Sequence, residues 1–549
     1  MFLQLPKIFN SFSKKERIVF IAAFFIFLVT SFLWIIRFSE THTLLAPVDS
    51  GEYTEGAIGQ PVFVNPVIAS NSGPDNDLNQ LIFADMKNLI ETYEVSDDKR
   101  VWNIRIKGDV IWQDNQPLTT DDVIFTIKAI QDPDTNSPLY SSWKGVKVER
   151  TSEREIKIVL PNPYAYFENN LLDLKPIPKH LFSGIPFAHM KLSTYNIEPV
   201  SSGPFKFISF EKRRDGFITK FILERNDSFP GDKPHLDKFS FRFYPNEEEV
   251  IKAFNSGEID GFSPADYKNL SKIYIPHKVF KIVMPRYYAV FFEPQNNVLL
   301  KNKGLRAALN YATDKAKIVK TIFKDAAIPI DGPLLFQNHD YDPSVDFSME
   351  KAGAILDELG WTVNPDGVRE IKEKLSLKKL EFGLTVYPTP FLTETAKIIK
   401  DDWAKIGVKI NLNFPAPADF EEDIIKPRNY EMLLFGNIYG KNLDPFSFWH
   451  SSQKFHPGLN LSLYENKNAD FLIEIIRTDF DPNKRQEELK ELQKIINADT
   501  PAVFLYSPHY IYVSSKTLRG FEQNYLSLPG DRFSNIKDWY VRTVRIFKK

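Results

Sequence analysis

Ile18 to Ile36 (IVFIAAFFIFLVTSFLWII) is an unbroken stretch without a charged residue. At 1.5 Å per residue it reaches roughly 28 Å as a helix, the thickness of a bilayer's hydrocarbon core. Lys7, Lys14, Lys15 and Arg17 precede it, so the preference for basic flanks on the inner side keeps residues 1–17 in the cytoplasm. The span at 18–36 then places all that follows across the membrane, in a periplasmic or extracellular space. A cleaved signal peptide is the rival reading. Its apolar region is usually shorter, about 7 to 15 residues, and the nearest imitation of a small-residue cleavage site here is Ser39-Glu40-Thr41. Residues 37–46 read as a short polar stalk.

The rest has the composition of a protein folded in water: of 549 residues, 43% are apolar and 26% charged, with length for several packed units. A formal charge of -2, from 69 basic and 71 acidic residues, gives no general attraction to nucleic acid. Zero cysteines exclude disulfides, thiolate nucleophiles, cysteine-held metals and lipoprotein anchoring together. The histidines form no HExxH pair, and His450 and His456 suit neither one helix face nor one strand face. No metal and no other cofactor is expected. No Walker loop, GxGxxG or GxSxG occurs. Acidic pairs such as Asp121-Asp122, Asp401-Asp402 and Glu421-Glu422 belong by habit to first turns and solvated helix faces. No catalytic residue stands out, an enzyme is supported mainly by size, which is weak evidence, and no catalysis is expected.

Beyond the span, strand and helix periods alternate without a fixed repeat, an α/β pattern. Trp102, Ile104 and Ile106 share one strand face, and Asp114 to Pro117 supplies a turn. Thr119-Thr120-Asp121-Asp122 then offers a capping-box start to a helix carrying Val123, Ile124, Ile127 and Ile130. Phe239, Phe241 and Phe243 alternate as a strand, whereas Leu305, Ala308, Leu309 and Ala312 follow helical spacing. A helix with Ile398, Ile399 and Trp403 stops at Gly407 and feeds a strand of Val408, Ile410, Leu412 and Phe414.

Several segments, in order, resemble the dipeptide-, oligopeptide- and nickel-binding family (family 5) of ABC-transporter solute-binding proteins. EGAIGQPVFVNPVIA (55–69) is similar to the family's opening strand and "NP" turn. WNIRIKGDVIWQDNQPLTTDDVIFTIKAIQDP (102–133) resembles its strand, turn and "T-x-D-V" helix. PVSSGPFKF (199–207) and FNSGEIDGF (254–262) resemble its "GTGPY" and "GEID" elements, and LRAALNYATDKAKIV, AGAILDELGW, LDPFSFW and TPAVFLYSPHYIYVSS follow. The likeness covers almost everything after about residue 50.

The resemblance implies two α/β lobes of the type II periplasmic-binding-protein kind that close on a small peptide or peptide-like solute and deliver it to an ABC permease. Carried over, lobe I comprises 47–70, 196–284 and 503–549, with a subdomain inserted at 71–195 and lobe II at 285–502. The ectodomain is expected to be monomeric. An exported sensory or scaffold protein signalling to another membrane partner could use the same fold.

In peptide-binding members an aspartate four residues before the proline of "DP" pairs with the ligand's amino terminus. Here GNIYGKNLDP puts Lys441 at that place. An ammonium facing an ammonium in a dry cleft is strongly unfavourable. Either Lys441 attracts a carboxylate or phosphate, or Asp444 takes over the amine, or Lys441 is a solvated loop residue. Gly436 and Gly440 would permit close backbone approach around Asn437, Ile438 and Tyr439. Tyr287, Tyr288, Tyr387, Tyr439 and Trp449 lie in or beside segments that line the cleft in the resembling family, with core packing as the competing role. Ser202 and Gly203, in the "SSGPF" turn, mark either the cleft wall or only a strand crossover.

Overall fold

The computed structural model describes residues 13–69, 73–335, 347–373 and 376–548. The first twelve residues of the expected cytoplasmic segment, Lys7 among them, lie outside these, as do residues 70–72 at the expected subdomain boundary. The apolar stretch forms the middle of a helix, Lys14–His42, opened by a capping box between Ser13 and Glu16. No residue of this helix is buried. A helix whose middle is apolar all round and buries no residue against its own chain is suited to lipid rather than water.

Residues 37–46 differ from the expected stalk. The helix runs on to His42, and Thr43–Pro47 pairs antiparallel with the C-terminal strand Thr543–Phe547. The partner strand stands some five hundred residues away in sequence, so no local pattern announced it.

Two large sheets organise the rest. The first has the order His277–Ile282, Tyr510–Ser515, Gly261–Phe262, Glu52–Ile58, Lys238–Tyr244, Ile218–Arg225, Phe205–Lys212. Phe239, Phe241 and Phe243 all point into its core, as their alternation requires. The second has the order Ala327–Pro329, Ala502–Pro508, Arg286–Phe292, Met432–Ile438, Glu381–Val386, Lys409–Asn413. A four-stranded sheet, Ile90–Val95, Val101–Ile106, Glu155–Val159, Lys147–Arg150, belongs to the inserted unit. It shares one hydrophobic core with the first large sheet, Trp102 and Ile104 packing in the same cluster as Phe221 and Phe239.

The chain crosses between the large sheets twice, at residues 283–286 and 508–510. Ala502–Pro508 lies in the second sheet, between Arg286–Phe292 and Ala327–Pro329. The second body therefore extends some six residues past the expected 502/503 division. All seven residues of that strand are buried, so the run VFLYS carries no mark of where one sheet ends. Arg286 ties the crossovers together, donating to the carbonyls of Pro508 (3.2 Å) and His509 (3.0 Å).

Candidate functional site

Both large sheets contain parallel strands, and segments following their C-terminal ends line two cavities between the bodies. Such ends are where open α/β sheets place ligands. The first cavity, of about 220 Å³, lies beside the crossovers. It takes Ser263 to Lys268 from the end of Gly261–Phe262, Pro390, Phe391 and Glu394 from beyond Glu381–Val386, and Arg286, Tyr288 and His509 from the crossing strands. Lys268 and Glu394 meet across it at 2.5 Å.

The second cavity, of about 240 Å³, is the more polar in its chemistry. Tyr439, Lys441 and Asn442 enter from the second body, while Asn76, Asn79, Asp173 and Lys175 come from the inserted unit and Asp531 from the first body. Two ammonium and two carboxylate groups thus face one space. Lys441 and Asp173 form an ion pair, each side chain about two-fifths exposed (41% and 39%). Burial pulls the Lys441 pKa down, yet Asp173, Asp531 and Asp85 together outweigh it and leave the ammonium more firmly protonated than usual. Burial raises the Asp173 carboxyl against the opposing pull of Lys441. Asn76 Nδ2 and Asn79 Oδ1, on the helix Pro74–Ile82, are buried and have no hydrogen-bond partner. Both residues line the cavity, but these two atoms are themselves covered by protein, so a ligand amide reaches them only if the side chains turn toward the open space.

The inserted unit and the second body also touch around this cavity. Asn442 bonds Asn169 and Asn170 at 2.8 Å each, and Tyr166 donates to the Leu443 carbonyl at 3.0 Å. Asp444 does not reach the cavity. It lines instead a separate cavity of about 490 Å³ between the inserted unit and the second body, where its carboxylate accepts from Tyr164 (2.9 Å), Arg477 (3.1 Å) and the Phe446 amide (3.0 Å).

The remaining candidates separate by burial. Tyr439 and Lys441 line the polar cavity and Tyr288 the apolar one. Tyr287 and Trp449 instead lie within the core of the second body, at 0% and 1% exposure. Asn437 is spent on Tyr287, donating to its hydroxyl at 3.0 Å, and Tyr387 packs edge-on to Phe420 at 4.9 Å. Gly436 makes room for a protein ring, since a Cβ there would stand 2.6 Å from Tyr288. Gly440 has a φ of +69° with open space beside it, and Ile438 is partly exposed. Ser202 and Gly203 hold the helix Pro74–Ile82: both amides donate to the Ile82 carbonyl, and Ser202 Oγ accepts from Ala84. They form a packing turn, with a Gly203 Cβ blocked at 2.7 Å by Ile82 backbone. The cavity residues Asp173, Asp531, Asn76 and Asn79 carry no sequence signal, because the fold alone assembles them.

Beneath the polar cavity lies a buried charge cluster. Arg532 donates to Asp77 (2.6 and 2.8 Å) and to Glu55 (2.9 Å), and Tyr512 donates to Glu55 at 2.7 Å. Burial pushes the Glu55 carboxyl up to about 7, against the pull of Arg532.

Residues 86–456 match the family described as bacterial extracellular solute-binding proteins, family 5 Middle. The oligopeptide-binding protein AppA of Bacillus subtilis is 27% identical over 520 residues, covering 90% of this chain and 92% of its own. The ABC transporter substrate-binding protein CtaP of Listeria monocytogenes superposes with a TM-score of 0.75 at 26% identity, over 90% of this chain and 99% of the other. AppA of Bacillus subtilis in complex with a nonapeptide shares the fold, with a TM-score of 0.71 at 24% identity, over 90% of this chain and all of the other.

Proposed function

The chain belongs to family 5 of the bacterial extracellular solute-binding proteins, and on that premise we propose that it is a membrane-anchored receptor of an ABC importer. It captures a small zwitterionic peptide or peptide-like solute between its two bodies and hands it to a permease. The names of its relatives support the transporter setting, and the fully exposed apolar helix supports the anchor. The observation that carries the ligand class is the polar cavity, where Lys441 and Asp173 of opposite sign stand beside the unpaired amide atoms of Asn76 and Asn79. In this reading Lys441 receives a ligand carboxylate, Asp173 or Asp531 receives an amine, and the two asparagines, turned toward the open space, read the amide between them. No bond is made or broken. Contact with both bodies at once favours the closed arrangement over the open one.

Titration calorimetry with a dipeptide library and its N-acetylated and C-amidated counterparts tests this. Free dipeptides should bind best. Lys441→Ala should erase the preference for a free carboxylate and Asp173→Asn the preference for a free amine, each with a loss of about tenfold or more, as befits one charge-assisted contact. Equal affinity of both variants for all three sets would refute the assignment.

A further inference from the structure

The terminal ribbon exposes apolar side chains on both faces, Leu45 and Phe547 on one and Leu44, Val544 and Ile546 on the other. Leu44 stands opposite Ile546 and Ala46 opposite Val544, so these four share one face of the two-stranded ribbon. Leu44, Ile546 and Val544 are about half exposed (52%, 48% and 47%). The ribbon begins at Thr43, directly after the helix ends at His42. Arg37 to His42 carry the helix only about 9 Å beyond the uncharged stretch, a distance on the order of one headgroup layer. The ribbon is also fastened to the helix: the Lys548 amide donates to the His42 carbonyl at 2.8 Å, and Arg545 donates to Thr43 Oγ1 at 3.1 Å. Arg37, Arg542, Arg545 and Lys548 surround it, with Glu40 the one acid in segments 37–47 and 542–548.

We propose that this apolar ribbon lies in the headgroup region of the outer leaflet. The C-terminal strand is then a second membrane contact, its basic residues meeting lipid phosphates. Its consequence is orientation, because a body fastened by both chain ends presents its cleft at a fixed attitude to the bilayer. This rests on the anchored reading of the helix, and the test separates the two.

The chain has no cysteine, so one introduced residue carries a fluorophore alone. Full-length protein bearing Ile546→Cys or Val544→Cys is reconstituted in vesicles of equal parts phosphatidylcholine and phosphatidylglycerol. Phe27→Cys marks the span and Glu149→Cys the solvated exterior. Labels at positions 546 and 544 should be quenched by headgroup-attached nitroxides at least twofold more than at position 149, while position 27 responds to deep acyl-chain nitroxides. Positions 546 and 544 behaving like 149, with 27 deep, would overturn the inference and leave the anchor standing. An unquenched position 27 would overturn the anchor and the inference with it. Shielding at 546 that follows protein density rather than lipid would overturn it too, assigning the face to a second copy.

Discussion

Arg532 draws together the opening strand of the first sheet through Glu55, the helix bearing Asn76 and Asn79 through Asp77, and the loop bearing Asp531. Burial disfavours the Glu55 carboxylate by more than Arg532 and Tyr512 favour it, with Asp77 adding to the burden, so Glu55 holds its proton up to about 7 instead of the ordinary 4.5. A carboxyl that binds its proton more tightly when folded contributes stability that is complete below its unfolded pKa and lost as pH rises to the folded value. The melting temperature should therefore fall between about pH 4.5 and 7 by an amount worth at most about 3 kcal/mol from this residue. Glu55→Gln, fixed in the neutral form, should flatten that decline in a pH series of thermal melts. An unchanged slope would assign the titration elsewhere. None of this cluster was legible beforehand: Glu55, Asp77 and Arg532 are isolated charges in sequence, and only the sheet order makes them neighbours.

At the scale of elements, the helix Thr120–Gln131 was readable almost to the residue. Its capping box forms as expected, the Thr119 amide donating to Asp122 at 2.9 Å. Val123, Ile127 and Ile130 are all at 0% exposure. Structure adds a second duty, since Asp122 also accepts the Lys179 amide at 2.8 Å and so pins the helix to a distant segment. Asp122→Ala strands two backbone donors and should cost about 2 to 3 kcal/mol, whereas Thr119→Ala removes a cap alone and should cost about 1 kcal/mol. Denaturant titrations of the two variants check the order, and equal losses would deny Asp122 its bridging part. The terminal ribbon marks the opposite limit. TLLAP and TVRIF are too short to show a period, and their pairing is a fact of the closed fold rather than of either segment.

For the molecule as a whole, the long apolar helix, the two-sheet α/β plan and the family were legible because each spreads its signal over many residues. The ligand wall was not, since it is built from single side chains of three separate units. Lys441 shows why: its sequence position raised the question of a misplaced ammonium, but its partner Asp173 lies 268 residues away. The ion pair, the Asn442 bonds and the Tyr166 bond all cross between the inserted unit and the second body, so opening must break them, and in the proposed reading a solute held by Lys441 and Asp173 replaces the ion pair with a bridge between the same two units. The most direct test is a distance across that boundary. Spin labels on Glu149→Cys and Gln486→Cys, both exposed, report it by pulsed dipolar spectroscopy. Without solute the distribution should be broad and extend to long distances, and a saturating dipeptide identified by calorimetry should collapse it to a single shorter one. Distributions that stay superimposable with and without that dipeptide would contradict capture by closure.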